Sequence, residues 1–308
     1  MKTVVDFIRD NDTRSFARLL TKLESGDVEL RDRVNREYTS LGRADRIGIT
    51  GPPGAGKSSL VTMMAKRYRE LGKTVAIIAV DPSSPFSGGA LLGDRIRMQI
   101  LGGDSGVFIR SMASRGASGG LARGVDEAAD LFDLGGYDVI LLETVGVGQS
   151  ELEVARAADT TLVVLVPQSG DSIQGMKAGL MEIADVFVMN KSDSDGADRA
   201  TQQLSSAISL KMWDGWTPPV LNTIATENKG IVELIENIDT HHRTLAESGM
   251  MKTRRDRRFA RRLRSLLTER VERELWGDGR EAMLLAGIET GRAPSELVEE
   301  LYRSFRGR

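Results

Sequence analysis

Apolar runs alternate with helix-spaced segments through the middle of the chain. Between about residues 46 and 225, seven short runs rich in Val, Ile and Leu are separated by longer amphipathic segments. The runs cover 47–50, 74–80, 107–110, 139–143, 161–166, 186–189 and 220–224. Because these runs lack a strict apolar–polar alternation, they are typical of strands that helices cover on both faces. The pattern predicts an α/β domain with a mostly parallel central sheet flanked by helices.

Helical patterns continue on both sides of that domain. Residues 1–43 are polar with apolar positions at helical spacing, such as Phe16, Leu19 and Leu23, which predicts two or three short helices. After Gly230 further helices are expected over 231–248, 250–276, 281–285 and 295–305. The predicted organisation is a helical N-terminal extension (1–43), an α/β domain (44–238) and a C-terminal helical arm (239–308).

The first strand leads into a glycine-rich loop that is followed by a helical segment. Residues 51–58 read Gly-Pro-Pro-Gly-Ala-Gly-Lys-Ser and fit the phosphate-binding pattern G-x-x-x-x-G-K-[ST]. Glycines let backbone N–H groups converge on phosphate oxygens, and the helix that follows directs its positive end at the same anion. We expect Lys57 to reach the β- and γ-phosphates and the Ser58 hydroxyl to bind Mg²⁺. The predicted phosphate-loop residues are Gly51, Pro52, Pro53, Gly54, Ala55, Gly56, Lys57, Ser58 and Ser59.

Carboxylates stand near the ends of two other predicted strands. Asp81 closes the second run, Asp94 follows a segment rich in Pro, Ser and Gly, and Glu143 closes the fourth run. Because ligands collect at the carboxyl ends of parallel strands, these three are predicted to hold Mg²⁺ directly or through water. For Asp94, capping of the next helix is an equal alternative. Gly146 is expected to offer its N–H to the γ-phosphate.

Two later segments are predicted to sense the nucleotide. In Ras, the glutamine that orients the attacking water follows directly after the glycine of this segment. Here Val147 occupies that position and Gln149 comes two residues later. We therefore expect slow intrinsic hydrolysis that a partner or an ordered loop accelerates. After the fifth run, Asp171 either caps a helix or belongs to a switch segment, with Lys177 changing partners. Arg110 is expected to be an ordinary solvated arginine, with charge stabilisation at the site as the alternative.

The sixth run ends in Asn190-Lys191-Ser192-Asp193, an N-K-x-D tetrapeptide. The Asp193 carboxylate can accept hydrogen bonds from guanine N1–H and its 2-amino group, donors that adenine lacks. Lys191 can cover the base, and Asn190 can tie this segment to the phosphate loop. The seventh run leads into Ile224, Ala225 and Thr226, from which a backbone N–H is expected to reach the guanine carbonyl. The predicted ligands are therefore GTP or GDP together with Mg²⁺.

Composition bears on the partners and the cellular location of the protein and does not change the predicted fold. The formal net charge of −2 gives no general reason to expect nucleic acid or a membrane surface as a partner. The chain has no Cys and no apolar run long enough to cross a bilayer, which favours a cytoplasmic location. The basic segment 252–264 is predicted to be an exposed or dimer-forming helix with a solvated charged face. His241 and His242 are predicted to be helix-surface residues.

With these motifs placed, the chain resembles the methylmalonyl-CoA mutase-associated GTPases of the MeaB type. The resemblance is carried by the phosphate loop, Asp81-Pro-Ser-Ser, Gly93-Asp94-Arg-Ile-Arg-Met, Arg110-Ser-Met, Glu143-Thr-Val-Gly-Val-Gly-Gln and Asn190-Lys-Ser-Asp. It implies a P-loop GTPase that gates cofactor loading and protects a cobalamin-dependent acyl-CoA mutase, whose binding accelerates hydrolysis. It also implies a homodimer held partly by the C-terminal arm, magnesium carboxylates at Asp81, Asp94 and Glu143, and a switching lysine at Lys177.

The sequence departs from the family pattern at two places. Ala117-Ser118 replaces a bulkier pair, and Ile224 replaces a serine before Ala225. The alternatives are a P-loop kinase or ATPase linked to amino-acid (arginine or ornithine) transport, and a nickel metallochaperone GTPase. The guanine-selecting tetrapeptide disfavours the first, and the absence of Cys disfavours the second. A binding module that uses the basic helix is a further alternative.

Overall fold

The computed structural model describes residues 13–82, 101, 103–114, 120–144, 150–167, 178–213, 215–276 and 279–306. Contacts divide the chain into two compact units, Met1–Arg255 and Asp256–Arg308. The first unit holds a seven-stranded sheet and the second is helical. None of the helices in the described ranges combines the length and apolar character needed to cross a membrane.

The sheet contains every strand that the sequence predicts. The strands are β1 (Asp45–Thr50), β2 (Val75–Pro82), β3 (Val107–Ser114), β4 (Val139–Thr144), β5 (Thr160–Leu165), β6 (Val186–Asn190) and β7 (Val220–Thr223). All neighbouring strands are parallel, in the order β3-β2-β4-β1-β5-β6-β7. β3 runs beyond its predicted end at Arg110 because residues up to Ser114 remain paired with β2. The α/β prediction is confirmed.

Helices cover the sheet and form the second unit. They are α1 (Thr13–Glu24), α2 (Val28–Arg36), α3 (Lys57–Glu70), α4 (Gly120–Leu134), α5 (Ser150–Ala157), α6 (Ala178–Ile183), α7 (Ala197–Ser209), α8 (Ile231–Glu247), α9 (Met250–Trp276), α10 (Arg280–Glu289) and α11 (Pro294–Arg306). The predicted N- and C-terminal helices are therefore present. α9 begins in the first unit, and its residues from 256 onward belong to the second.

The strands are buried on both faces, as their continuous apolar runs predict. On one face, Ile47 and Ile49 of β1 pack in a cluster with apolar residues of α3 and α8. On the other, Ile140 and Leu142 of β4 pack with residues of α1, α4 and α5. Because side chains of a strand point alternately to the two faces, each central strand contributes to both clusters. Since the strand side chains are buried on both faces, functional residues are expected in the loops at the ends of the strands.

The N-terminal helices belong to this core. The Phe16 ring of α1 lies 5.4 Å from Phe108 and 5.1 Å from Phe132, measured between ring centroids. Arg110 of β3 pairs with Glu24 of α1, with Nε donating to Oε1 at 2.8 Å. Arg110 was expected to be a solvated arginine or a charge-stabilising residue of the site. In the structure it instead forms an ion pair that joins α1 to β3, an edge strand of the sheet.

A network of buried charges lies at the amino ends of the strands, remote in the fold from the strand ends that carry the motifs. His241 of α8 is fully buried, with Nδ1 2.8 Å from Thr160 Oγ1 and Nε2 3.3 Å from Asp185 Oδ1. Arg254 of α9 donates to both carboxylate oxygens of Asp185, at 2.9 and 2.7 Å. Burial alone would raise the pKa of Asp185, but hydrogen bonds and charge from Arg254 and His241 hold the pKa below its ordinary value.

This network corrects two expectations. His241 and His242 are not surface residues; both are buried, because α8 packs its inner face on the sheet. In addition, the first basic residues of the 252–264 segment do not present a wholly solvated face. Arg254 binds Asp185, and the Arg255 guanidinium donates to the Gly42 carbonyl oxygen at 2.6 Å. Helical periodicity showed the amphipathic face of this region but not the buried carboxylates that it would meet.

The second unit has its own small apolar contact. Leu297 and Leu301 of α11 are buried, and a Cβ on Gly287 of α10 would stand 2.2 Å from a Leu297 methyl carbon. Arg280, also buried, donates to the Glu274 and Leu275 carbonyl oxygens at the end of α9. These bonds satisfy carbonyl groups that have no partner within the helix.

Candidate nucleotide-binding site

The glycine-rich loop connects β1 to α3 at the point where the strand order changes direction. β1 lies between β4 and β5, so the connections leaving β1 and β4 go to opposite sides of the sheet. A crevice at the carboxyl ends of the strands is expected at such a position. Gly51 has φ +139°, and a Cβ there would stand 2.1 Å from the Val164 carbonyl oxygen of β5. The loop can therefore begin only with glycine.

The loop ends at the N-terminus of α3. Gly56 is the N-cap, in the left-handed conformation at φ 84°, and no side chain caps the helix. The N–H groups of the first turn thus point out of the helix end together with its positive dipole. Lys57 Nζ donates to the carbonyl oxygens of Gly51 and Pro52 at 2.7 and 2.9 Å. The ammonium group is held across the loop, where an anion bound to the helix end would meet it.

A hydroxyl–carboxylate pair lies beside the loop. The Ser58 hydroxyl donates to Glu143 Oε1 at 2.6 Å, and both side chains are buried. Glu143 reaches this position because β4 is the neighbour of β1, with Glu143 in register with Ile49. Oxygen donors of this kind suit Mg²⁺, which binds through a hydroxyl, a carboxylate and retained waters together with phosphate oxygens. The side chains present therefore fit that ion.

Asp81 lies at the same edge of the sheet. Its backbone belongs to β2, which neighbours β4 and pairs Ala79 with Glu143. The other predicted residues of the phosphate and switch segments lie outside the described residues. These are Asp94, Gly146, Gln149, Asp171 and Lys177, together with Val147.

Asn190 connects the glycine-rich loop to two further strand ends. This side chain is buried, and its Nδ2 donates to the Ala55 carbonyl oxygen at 2.8 Å. Its Oδ1 accepts from Thr223 Oγ1 at 3.1 Å and from the Ala225 N–H at 3.2 Å. A Cβ on Gly56 would stand 2.3 Å from Nδ2, so this contact also requires that Gly56 has no side chain. The predicted tie between Asn190 and the loop is present in the structure.

The turn after Asn190 presents Asp193 to solvent. Lys191 adopts φ +57°, a left-handed conformation that is unusual for a residue other than glycine. Lys191 and Asp193 are exposed, whereas Ser192 between them donates through both N–H and Oγ to the Thr223 carbonyl oxygen, each at 3.1 Å. The left-handed conformation of Lys191 turns the chain at the end of the buried strand, so that Asp193 lies on an exposed turn immediately beyond it.

The structure thus assembles the glycine-rich loop, Ser58, Glu143, Asn190 and the 191–193 turn along one edge. Of the remaining predicted residues, Ser59 is exposed on the first turn of α3. Ile224 is half-buried, Ala225 is buried and Thr226 is exposed after β7. The Ala225 N–H, which was expected to face a guanine carbonyl, donates to Asn190 Oδ1.

Two threonines that bear on this edge were missed from the sequence. Thr223, at the end of β7, contacts both Asn190 and Ser192. Thr144 donates through Oγ1 to Thr50 Oγ1 at 3.2 Å and joins the ends of β4 and β1. Threonine is common in strands, so its type and position carried no signal. Only the pairing of the strands places these hydroxyls at the site.

Comparison with known proteins gives a family match over most of the chain. Residues 16–280 match the family described as Methylmalonyl Co-A mutase-associated GTPase MeaB. The chain is 47% identical over 269 residues to a Pyrococcus abyssi protein named as a GTPase, covering 86% of this chain and 83% of that protein. It is 39% identical over 231 residues to the mouse protein named Methylmalonic aciduria type A homolog, mitochondrial, covering 73% of this chain and 56% of that protein.

Among solved structures, the chain is similar to one described as a LAO/AO transport system kinase. The TM-score is 0.72 with 29% sequence identity, over 98% of this chain and 96% of the other. A hydrogenase maturation factor HypB from Archaeoglobus fulgidus matches with TM-score 0.50 and 16% identity, over 74% of this chain and 98% of that one. The second likeness supports the P-loop fold alone.

Proposed function

The chain belongs to the MeaB family of GTPases, and on that premise we propose that it is a GTP-hydrolysing chaperone of a cobalamin-dependent acyl-CoA mutase such as methylmalonyl-CoA mutase. In this role it gates cofactor loading and protects the mutase. The support for a mutase partner is the description of the family.

The observation that best supports the nucleotide role is the contact of Asn190 with Ala55. This hydrogen bond joins the segment that would read the base to the loop that would hold the phosphates. The two subsites are thereby fixed at one separation, as a single nucleoside triphosphate requires. Asp193 follows on an exposed turn, where its carboxylate can accept from two donors that guanine has and adenine lacks. The proposed ligands are GTP and GDP.

The proposed metal is Mg²⁺, held by Ser58 and, through water, by Glu143. The ion would supply charge neutralisation between the β- and γ-phosphates. Ser58 already donates its proton to Glu143, which leaves the hydroxyl oxygen lone pairs available to a cation. Lys57 provides the second positive charge. Asp81 and Asp94 complete the proposed set of carboxylates, with the Gly146 N–H at the γ-phosphate.

Changing the base-reading carboxylate tests the nucleotide proposal directly. Asp193→Asn keeps one oxygen acceptor but replaces the other, which would accept from a guanine donor, by an NH2 donor, so GTP affinity is expected to fall by about 10⁴-fold or more. Xanthosine triphosphate, which presents a carbonyl group where guanine has the amino group, is expected to bind the variant better than GTP. Affinities from titration calorimetry check both results. A variant that still prefers GTP would contradict the assignment of Asp193.

Hydrolysis assays test the proposed partnership. Since Val147 occupies the position of the water-orienting glutamine, the isolated protein is expected to release phosphate slowly. Addition of a purified cobalamin-dependent acyl-CoA mutase should accelerate release, while an unrelated acyl-CoA enzyme serves as the control. Fast turnover by the isolated protein would refute the switch proposal. Absence of both stimulation and complex formation with acyl-CoA mutases would refute the chaperone proposal.

We extend the proposal to a homodimer formed through the C-terminal helices. Phe259, Leu263, Leu267 and Val271 follow one another at four-residue spacing on α9, and all four are exposed. An apolar stripe of this kind on a helix is suited to packing against another helix. The family resemblance implies a second copy of the chain as its partner.

The name of the solved relative raises transport-linked phosphorylation as a second candidate function. That role would require a P-loop kinase or ATPase. The guanine-reading position of Asp193 counts against ATP, and the same titrations with ATP decide between the two. Tight ATP binding with weak GTP binding would favour the kinase.

A further inference from the structure

Thr223 lies at the junction between the base-reading segment and the end of the sheet. It is the last residue of β7, an edge strand of the sheet, and is in register with Asn190 of β6. Its side chain is only 1% exposed. None of the motifs in the sequence includes this position, yet it contacts two of the four residues of the N-K-x-D tetrapeptide.

The Thr223 side chain acts on Asn190. Asn190 Oδ1 accepts one hydrogen bond from the Thr223 hydroxyl and one from the Ala225 N–H. Both lone pairs of that oxygen are therefore used, and the amide group is turned so that Nδ2 faces the phosphate loop. In this orientation Nδ2 donates to the Ala55 carbonyl oxygen. The reversed amide would set Nδ2 hydrogens against the Ala225 N–H, leaving two donors face to face.

The Thr223 main chain acts on the Asp193 turn. Its carbonyl oxygen accepts from the Ser192 N–H and from Ser192 Oγ, both at 3.1 Å. Ser192 lies between the strained Lys191 and Asp193, so these bonds fix the turn at the residue before the base-reading carboxylate. A single buried residue thus holds the side chain that faces the phosphates and the turn that faces the base.

From these contacts we infer that Thr223 is a positioning residue for the guanine nucleotide, acting through its hydroxyl on Asn190. The inference rests on the proposed nucleotide site. The Thr223 hydroxyl is bonded to Asn190 and keeps its amide in the one orientation that bridges the two subsites. Loss of that hydroxyl loosens the bound nucleotide without altering the phosphate chemistry.

The test measures the dissociation rate of a fluorescent guanine nucleotide, mant-GDP, from variants of the full chain. Thr223→Val keeps the shape of the side chain but removes the hydroxyl, leaving Asn190 Oδ1 with one donor. Dissociation is expected to become about tenfold faster, the equivalent of one buried hydrogen bond. The KM for GTP should rise in parallel while kcat stays unchanged. Thr223→Ser should restore the wild-type rate.

A matched control uses Asn222, which precedes Thr223 in β7. Its Oδ1 accepts a hydrogen bond at 2.8 Å from the Oγ1 of Thr201, a residue of α7, in an exposed contact. Thr201→Val therefore deletes a similar hydrogen bond outside the site. This variant should release mant-GDP at the wild-type rate. If Thr223→Val does not fold, the pair Thr223→Ser and Thr223→Ala gives the same comparison, because these two differ only by the hydroxyl.

A double-mutant cycle with Asn190→Ala separates positioning from general stability. If Thr223 acts through Asn190, Thr223→Val should have little further effect on dissociation in the Asn190→Ala background. Equal effects in both backgrounds, a wild-type rate for Thr223→Val, or no rescue by Thr223→Ser would each overturn the inference. Failure of wild-type protein to prefer mant-GDP over mant-ADP would instead overturn the proposed nucleotide function.

Discussion

Two glycines of the phosphate loop differ in what surrounds them, and that difference predicts two different losses of stability. Gly51 has φ +139°, and an added Cβ would stand 2.1 Å from the Val164 carbonyl oxygen. Gly54 has φ +76°, but a Cβ there would meet nothing within 4 Å. Gly51→Ala and Gly54→Ala therefore make the same chemical change in the same loop, with a backbone collision in only one.

The magnitudes follow from these two environments. At Gly54 the cost is that of a left-handed alanine, about 1–2 kcal/mol. At Gly51 the strained backbone costs about 1–3 kcal/mol, and overpacking adds about 1–3 kcal/mol. Val164 cannot retreat easily, because it lies in a central strand that pairs with β6 and is fully buried. We expect Gly51→Ala to lower the free energy of unfolding by about 4 kcal/mol.

Denaturant unfolding without nucleotide measures both losses. Trp213 and Trp216 lie in the first unit and Trp276 in the second, so a Trp276→Phe background confines the fluorescence signal to the unit that contains the loop. Gly54→Ala in this background is the matched control. Equal losses for the two variants, or a loss below about 1 kcal/mol for Gly51→Ala, would refute the collision argument.

The charged network and the helical arm give two more predictions. Asp185→Asn should lower the free energy of unfolding by about 2–3 kcal/mol at pH 7, because the Arg254 guanidinium loses its carboxylate partner. The control Glu70→Gln, which breaks the exposed ion pair with Arg67, should lower it by less than about 1 kcal/mol. The folded pKa of Asp185 lies below its ordinary 3.8. The loss of stability in the variant, measured by urea titration, should therefore be complete above about pH 5 and shrink as the pH falls further; a loss that is unchanged at about pH 3 would contradict this. For the arm, Leu267→Glu should shift sedimentation equilibrium from dimer to monomer, whereas a dimer that withstands it would rule out this stripe as the interface.

The fold was accessible from the sequence because its signals are local. Seven apolar runs without alternation require burial on both faces, and the helical segments between them supply that burial. The glycine-rich loop was equally readable, because positive φ angles at Gly51 and Gly56 can be met only by glycine. In the same way, Asn190 could be assigned to the loop from its place at the end of the sixth strand, and the contact with Ala55 is present.

Other features depend on which strands become neighbours, which no local pattern encodes. The order of the sheet brings Glu143 of β4 to Ser58 beyond β1, and Thr223 of β7 to Asn190 of β6. The periodicity of α8 marked His241 as helical, yet its burial against Asp185 follows from the packing of α8 on the sheet.

The sequence by itself determined the class of fold, the phosphate loop and the segment that follows the sixth strand. The tertiary structure alone decided how that segment is fixed to the loop and which charges are buried at the opposite ends of the strands. The physical reason is that backbone conformation and amphipathic spacing are properties of neighbouring residues. Hydrogen bonds such as that from Thr223 to Asn190 join groups that meet only after the chain has folded.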